Sequence, residues 1–186
     1  MAGQAVFTEA EGRELLRLAR ASLEAWVRER RRIRPPEPLT GALARPLGAF
    51  VSLHTRERDL RGCIGHMQPS GPLAEEVIEL AVAAGVHDAR FEPLTVGELG
   101  NLIYEVSVLS PMKPIRTRDV KPGVHGLYIR RAGYSGVLLP QVATDHGWDR
   151  EIFLEHTCMK AGLPPDAWRN PETQVCAFTA QVVSEA

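Results

Sequence analysis

The stretch Leu60-Arg61-Gly62-Cys63-Ile64-Gly65 decides the fold, because it reads as one strand of a β-hairpin. Residues 49–55 read as the other strand, and the charged residues 56–59 read as the turn between them. Side chains alternate across a β-strand, so residues two apart lie on the same face. Both strands alternate polar with apolar residues, and the sequence therefore predicts a half-buried antiparallel hairpin.

The register of this hairpin follows from the same pattern. If the turn is tight, Ser52 lies opposite Cys63 and His54 lies opposite Arg61. These four side chains then form a polar face, while the apolar residues of both strands form the other face. A slip of one residue would mix the two sets, so the pattern itself supports the register.

The predicted polar face has the elements of a reactive site. A thiolate is the nucleophilic form of cysteine, and a nearby cation such as Arg61 favours it, while His54 can act as a base or orient a group. Gly62 and Gly65 lack a Cβ atom, so a ligand or another backbone can approach closely. The alternative is that Cys63 is a small buried hydrophobic residue and the glycines mark a bulge. The residue types leave both interpretations open.

Beyond the hairpin the sequence alternates irregularly between helix and strand patterns. Thr8 and Glu11 form a capping-box pattern before a helix predicted over about 9–32. Later helices are predicted after the turn at 69–72 and after Asp149. Strands are predicted over 102–109, 123–131, 134–139 and about 173–183. This order predicts the α+β class, with a mixed or antiparallel sheet flanked by helices.

Composition limits the function classes. The 186 residues, 44% hydrophobic and 24% charged, predict a single domain over 1–186, with room for a smaller lobe within about 110–150. No apolar run has the roughly 18 residues of a membrane helix, and the N-terminus does not resemble a secretory signal. The three cysteines are widely spaced without a C-x-x-C pair, which favours free thiols in a reducing, cytoplasmic setting.

A basic run, Arg28-Glu29-Arg30-Arg31-Arg32, ends the first predicted helix. Positive charge is favourable at a helix C-terminus, whereas the other interpretation is a phosphate-binding patch. The net charge of −1 gives no overall attraction to nucleic acid or to anionic membranes. We therefore favour the helix-end interpretation and expect neither a nucleic-acid nor a membrane partner.

Two further groups of residues are site candidates. Asp88 and Arg90 follow the second predicted helix and can bind an anion, although an ion pair between them is the commoner arrangement. Glu105 interrupts an apolar strand, either on a solvent face or buried beside an arginine. The six histidines show no metal-binding spacing, so the sequence predicts no metal, and it indicates no cofactor.

Several blocks together resemble the AMMECR-one domain family, whose prokaryotic members are also called AmmeMemoRadiSam system protein A. The hexapeptide at residues 60–65 resembles the family's signature, and the similarity covers nearly the whole chain. The other matching blocks are Gly48–His54, Asp88–Thr95, Glu105–Ser110, Gly123–Gly126, Leu139–Val142 and Lys160–Leu163. Ala89 stands where the family usually has proline.

The resemblance implies a larger and a smaller lobe, with the hexapeptide near a cleft between them. It also implies genomic company with a Memo-like protein and a radical SAM enzyme, but it implies no reaction. The residues that match the family's blocks and become site candidates are Arg61, Gly62, Cys63, Gly65, Asp88, Arg90, Glu105 and Gln141.

Two functional hypotheses follow. In the first, the protein is a cysteine-dependent enzyme acting on a small anionic or carbonyl substrate, with Cys63 as nucleophile and Glu105 or His54 as acid/base. Arg61 or Arg90 would anchor the anion. In the second, it is a non-catalytic module that binds a ligand or works with the Memo-like and radical SAM proteins.

Overall fold

In the computed structural model, which describes residues 5–185, helix α1 spans Glu9–Glu29 and begins at the predicted capping box. The Glu11 amide donates to Thr8 Oγ1 at 3.3 Å, and the Thr8 amide donates to Glu11 Oε2 at 2.6 Å. The helix ends before the predicted residue 32 because Arg30 adopts a left-handed conformation, with φ of 54°.

The remaining elements follow in a mixed order. The other helices are α2 (Leu73–Val86), α3 (Pro140–Asp145) and α4 (Arg150–Lys160). The strands are β1 (Ala49–Thr55), β2 (Leu60–His66), β3 (Leu102–Leu109), β4 (Lys113–Pro114), β5 (Gly126–Arg131), β6 (Tyr134–Leu138), β7 (Gln174–Phe178) and β8 (Ala180–Ser184). Short 3₁₀ turns lie at Gly41–Ala44, Val96–Asn101, Thr117–Asp119 and Pro165–Arg169.

The first sheet has the strand order β2-β1-β3-β8, and β1 pairs antiparallel with both of its neighbours. One face of β1 is fully buried through Ala49, Val51 and Leu53, which join the core formed with α1 and α2. The opposite face of the same strand is only half-buried. The predicted hairpin is thus confirmed, with Val51 and Leu53 buried against the helices, whereas Leu60, predicted on the same apolar face, is exposed.

The second sheet has the strand order β4-β7-β5-β6 and packs with α4 around a separate core. Strands β5 and β6 are joined through Ala132 and Gly133, whose φ angles of 50° and 86° are typical of a tight hairpin turn. Asp149 caps α4 by accepting from the Ile152 amide at 2.9 Å, as the sequence predicts.

Several elements differ from the sequence-based predictions. The single last strand predicted over 173–183 is two strands, because β7 belongs to the second sheet and β8 to the first. The break falls at Thr179, which exchanges backbone and side-chain hydrogen bonds with Ser110 instead of continuing the strand. Helix α3 was not predicted, since its six residues are too few to show a helical period.

The chain divides into two compact units. The first covers the described residues up to Leu109 together with those from Gln181, and the second covers Ser110–Ala180. The stretch of 110–150, where the sequence left room for a smaller lobe, lies within the second unit. No helix among residues 5–185 is long and apolar enough to cross a membrane.

Candidate functional site

Three side chains form a row across the half-buried face of the first sheet. Ser52, on the central strand β1, pairs with Cys63 on β2 and with Glu105 on β3. All three residues are partly exposed. The Ser52 hydroxyl donates to Cys63 Sγ at 3.2 Å. The predicted pairing of Ser52 with Cys63 is therefore confirmed, and Ser52 emerges as the link between the two predicted catalytic residues.

The backbone of Cys63 is held from the other side by Asp88. Strand β2 is an edge strand, so its outer amide needs a partner other than a neighbouring strand. The Cys63 amide donates to Asp88 Oδ2 at 2.9 Å. Because this amide points away from β1, Ser52 and Cys63 form a non-hydrogen-bonded pair, the type in which side chains come closest.

Arg90 completes this arrangement with a bidentate ion pair. Its Nε and Nη2 donate to the two carboxylate oxygens of Asp88 at 2.9 and 2.7 Å, and Nη2 also donates to the Cys63 carbonyl at 3.3 Å. These hydrogen bonds from Arg90 hold the pKa of the buried Asp88 carboxyl well below its usual range, although burial opposes the shift. Asp88 and Arg90 together form a clamp on the main chain of Cys63, which we call the Cys63 clamp.

The position of Arg61 corrects the predicted register. Leu53 pairs with Gly62 and His54 pairs with Leu60, so Arg61 is the extra residue of a β-bulge. The prediction that His54 lies opposite Arg61 is wrong, because one more residue is inserted on β2 than on β1. His54 remains on the face of Ser52 and is partly exposed.

The guanidinium of Arg61 is bound on several sides. Its Nε donates to Glu98 Oε1 and its Nη2 to the Glu92 carbonyl, both at 2.9 Å, and its Cζ lies 5.8 Å from the centroid of the Phe91 ring. The Arg90 Cζ lies 5.5 Å from the same ring. Phe91 thus contacts both arginines of the site.

Glu98 is a site residue that the sequence interpretation missed. Its carboxylate accepts from the Thr95 amide and hydroxyl, both at 2.9 Å, as well as from Arg61. Burial acts to raise the pKa of Glu98, but the bonds from Thr95 and Arg61 hold it below its ordinary value. The spacing Thr95-x-x-Glu98 is a capping-box pattern, and this was the available signal.

The two glycines of the hexapeptide are packing sites. A Cβ atom on Gly62 would lie 2.1 Å from the Ala84 carbonyl oxygen of α2, and one on Gly65 would lie 2.0 Å from the Phe50 ring. The sequence left open whether a ligand or another backbone approaches Gly62, and the structure has the backbone of α2 there. Gly62 therefore allows β2 to lie directly against α2.

The remaining predicted residue and the other thiols lie elsewhere. Gln141 is exposed on α3, in the second unit. Cys158 and Cys176 are buried and free, and burial raises the pKa of both thiols. Of the three cysteines only Cys63 is partly exposed. Among residues 5–185 no group of three or more acidic, histidine or cysteine side chains is arranged to hold a metal ion.

Comparison with known proteins places this geometry in a family. A family model described as AMMECR1 matches residues 16–183. A protein of Thermococcus gammatolerans is 46% identical over 184 residues, covering 94% of this chain and 90% of its own. A protein of Methanothermobacter thermautotrophicus is 43% identical over 182 residues, covering 94% of each chain.

A solved structure has the same fold. The crystal structure of an uncharacterised protein from Pyrococcus horikoshii aligns with a TM-score of 0.83 at 40% identity. The alignment covers 97% of this chain and 94% of that one.

Proposed function

The chain belongs to the AMMECR1 family, and we propose that it is a cysteine-dependent enzyme acting on a small anionic or carbonyl substrate. Cys63 is the nucleophile in this proposal and Glu105 is the acid/base. The observation that carries it is the row Cys63–Ser52–Glu105 across three adjacent strands. Strands are rigid supports, so this row can hold reacting groups at fixed spacing.

The surroundings of Cys63 support its role as nucleophile. The Ser52 hydroxyl donates to its sulfur at 3.2 Å and so fixes the position of the sulfur. The Cys63 clamp fixes the main chain on the other side, so the sulfur is held from two directions. It is also partly exposed, which a nucleophile requires.

In this proposal Glu105 acts on the substrate rather than on the sulfur. Neighbouring strands are about 4.5–5.5 Å apart, so Cys63 and Glu105, two strands apart, have Cα atoms separated by roughly 10 Å. A small substrate lying over Ser52 would contact the sulfur on one side and the carboxyl group on the other. The thiolate would add to a carbonyl carbon while the bonding pair moves to oxygen, which takes a proton from Glu105. The thiol gives its proton to solvent and Glu105 regains a proton from solvent, so the net reaction adds the S–H group across the carbonyl.

The two arginines of the site have different roles in this proposal. The Arg90 side chain is 57% exposed, and its Nη1 makes no hydrogen bond within the described part of the chain. The Arg61 side chain is only 16% exposed and is held by Glu98. We therefore assign anion binding to Arg90 and positioning to Arg61. Contacts of His54, Gly62, Gly65 and Gln141 with a substrate stay predictions.

The experiment that tests this proposal is alkylation of the full chain with iodoacetamide at pH 6.5, with mass spectrometry to identify the modified thiol. We expect Cys63 to react several-fold faster than glutathione, and Ser52→Ala to slow the reaction. Cys158 and Cys176 are internal controls, since both are buried and should stay unmodified in the folded protein. A Cys63 rate equal to that of glutathione, unchanged in Ser52→Ala, would refute the proposal.

One observation favours the second candidate, a non-catalytic binding module. Arg61 and Asp88 form hydrogen bonds with main-chain and carboxylate groups of the protein itself. Much of the polar site therefore maintains the shape of a surface. Such a surface would serve a ligand or the Memo-like and radical SAM proteins. This candidate predicts that those partners co-purify with the wild type and are lost with Arg90→Ala, and that Cys63→Ser retains them.

A further inference from the structure

A cavity in the first unit shares no lining residue with the cysteine row. This cavity, of about 880 Å³, is bounded by α1, α2 and the extended segment that follows α1. This volume is within the range of pockets that hold small molecules, roughly 300–1,000 Å³. Neither Cys63 nor Glu105 contributes to its lining. The proposed enzyme function therefore leaves this cavity without a role.

The floor of the cavity is apolar and comes from one face of α2. Ile78 and Val82 are four residues apart and so lie on the same side of the helix, and Ala83, which follows Val82, also lines the cavity. The Trp26 ring of α1 forms the adjoining wall. The Ser22 hydroxyl, which donates to the Ile78 carbonyl at 2.7 Å, fixes α1 against α2 at the base.

The extended segment contributes positive charge to the lining of the cavity. Arg32 and Arg34 both line it, and the Arg32 Cζ lies 5.6 Å from the centroid of the Trp26 ring. An arginine above an indole ring is attracted to it, so Trp26 holds one cation at the wall. The basic run that the sequence analysis assigned to the helix end thus continues into a cavity lined by an aromatic residue.

Helix α2 contributes negative charge to the lining of the cavity. Glu75 and Glu79 are one turn apart on α2 and line the same cavity. Within the described part of the chain neither forms a salt bridge with Arg32 or Arg34. The remaining polar lining residues are Glu37, His66 and His87.

We propose that this cavity binds a small zwitterionic molecule with an apolar body. Its anionic group would face Arg32 and Arg34, its cationic group would face Glu75 and Glu79, and its body would lie on Trp26 and the floor of α2. Two sets of opposite charge that form no salt bridge with each other, beside an apolar floor, match such a ligand. A purely anionic or purely cationic molecule would leave one set unpaired.

Three matched fluorescent probes test this inference by titration of the full chain. Nε-dansyl-lysine carries a naphthalene body, an ammonium group and a carboxylate. Dansylcadaverine is the same molecule without the carboxylate, and 6-(dansylamino)hexanoic acid is the same molecule without the ammonium group. We expect the zwitterion to bind about ten-fold more tightly than either, which corresponds to about 1.4 kcal/mol.

Paired variants assign the two charged groups of the ligand. Arg32→Gln with Arg34→Gln should remove the preference for the zwitterion over dansylcadaverine, and Glu75→Gln with Glu79→Gln should remove its preference over the hexanoic acid probe. All four residues are exposed, so these variants should keep the fold. Arg28→Gln, an exposed position of α1 outside the lining, is the matched control and should change neither preference.

A variant that fills the cavity separates this site from general hydrophobic binding. Ala83→Met places a larger side chain on the floor and should weaken all three probes. Equal affinities for the three probes, no saturable binding, or binding that Ala83→Met leaves unchanged would each overturn the inference. A circular dichroism spectrum of each variant verifies that the fold is retained.

Discussion

Gly62 shows how one residue fixes the position of strand β2 against helix α2. The Ala84 carbonyl of α2 occupies the space where a Cβ atom would be, so β2 can lie this close to the helix only with glycine. The sequence indicated that something approaches closely at this position. It could not distinguish a ligand from a backbone, because a missing side chain has no chemistry that identifies its neighbour.

Gly62→Ala should therefore destabilise the protein and disturb the site. The added methyl group would overlap with a backbone atom that cannot rotate away, and overpacking of this kind costs about 1–3 kcal/mol. Urea unfolding of the wild type and the variant measures the difference. Gly97→Ala is the matched control, since a Cβ atom there meets nothing within 4 Å. Equal losses at the two positions would contradict the packing role of Gly62.

Asp88 should contribute stability that depends on pH. The bonds from Arg90 lower its folded pKa below the ordinary value of about 3.9. A carboxyl group of this kind stabilises the fold above the unfolded pKa, and the contribution is lost as pH falls toward the folded pKa. Asp88→Asn keeps the shape but loses the charge, and should cost about 1–3 kcal/mol at pH 7.

The measurement is urea unfolding of wild type and Asp88→Asn from pH 7 downward. The difference in the free energy of unfolding between wild type and Asp88→Asn should narrow below about pH 5, because protonation of Asp88 removes the charge that the variant lacks. Asp119→Asn is the control, since its ion pair with Arg116 is on the surface. A difference that stays constant down to pH 3 would contradict the charged clamp.

At the scale of elements, the hairpin was predictable and its bulge was not. Alternation of polar and apolar residues set the pairing of Ser52 with Cys63. Arg61 is the bulged residue, and its guanidinium binds partners far away in sequence, Glu98 and the Glu92 carbonyl. Local periodicity contains no record of such partners, and for the same reason it does not indicate Glu98 and Phe91 as site residues.

The start of α1 offers a prediction at the same scale. Thr8→Ala removes one cap bond and should cost about 1 kcal/mol. Glu11→Ala should cost more, because Glu11 Oε1 also accepts from the Ala42 amide at 2.7 Å and so connects the helix to a separate turn. Thermal unfolding compares the two variants. Glu9→Ala, which removes an exposed ion pair with Arg13, should cost less than either. The reverse order would contradict the connecting role of Glu11.

At the scale of the whole molecule, the described residues form two hydrophobic cores. Truncating a buried side chain in either core should lower the free energy of unfolding. Leu53 and Phe153 are both fully buried, one in each core. Leu53→Ala should cost about 2–5 kcal/mol and Phe153→Ala about 3–5 kcal/mol. Urea unfolding followed by circular dichroism measures both. The controls are the half-exposed Val182→Ala and Val124→Ala, which should cost well under 1 kcal/mol.

The family resemblance predicted more of the whole fold than the periodicity of the sequence did. Blocks from Gly48 to Leu163 matched in order, and the shared fold with the Pyrococcus horikoshii structure agrees with that match. The division of the last predicted strand between two sheets depends on which sheet each half completes. A continuous β-rich run cannot show this, because both halves have the same local pattern.

The central claim is that Cys63 is a nucleophile beside an anion-binding arginine, and two alkylating reagents test it most directly. Iodoacetate is the anionic counterpart of the neutral iodoacetamide, so the ratio of their rates at Cys63 measures attraction for the anion. We predict a ratio about five-fold above that of glutathione, as expected for about 1 kcal/mol of attraction between charges near 4 Å apart in water. Arg90→Gln should abolish the excess, whereas Arg90→Lys should retain part of it. A ratio that equals that of glutathione and is unchanged in Arg90→Gln would contradict the claim.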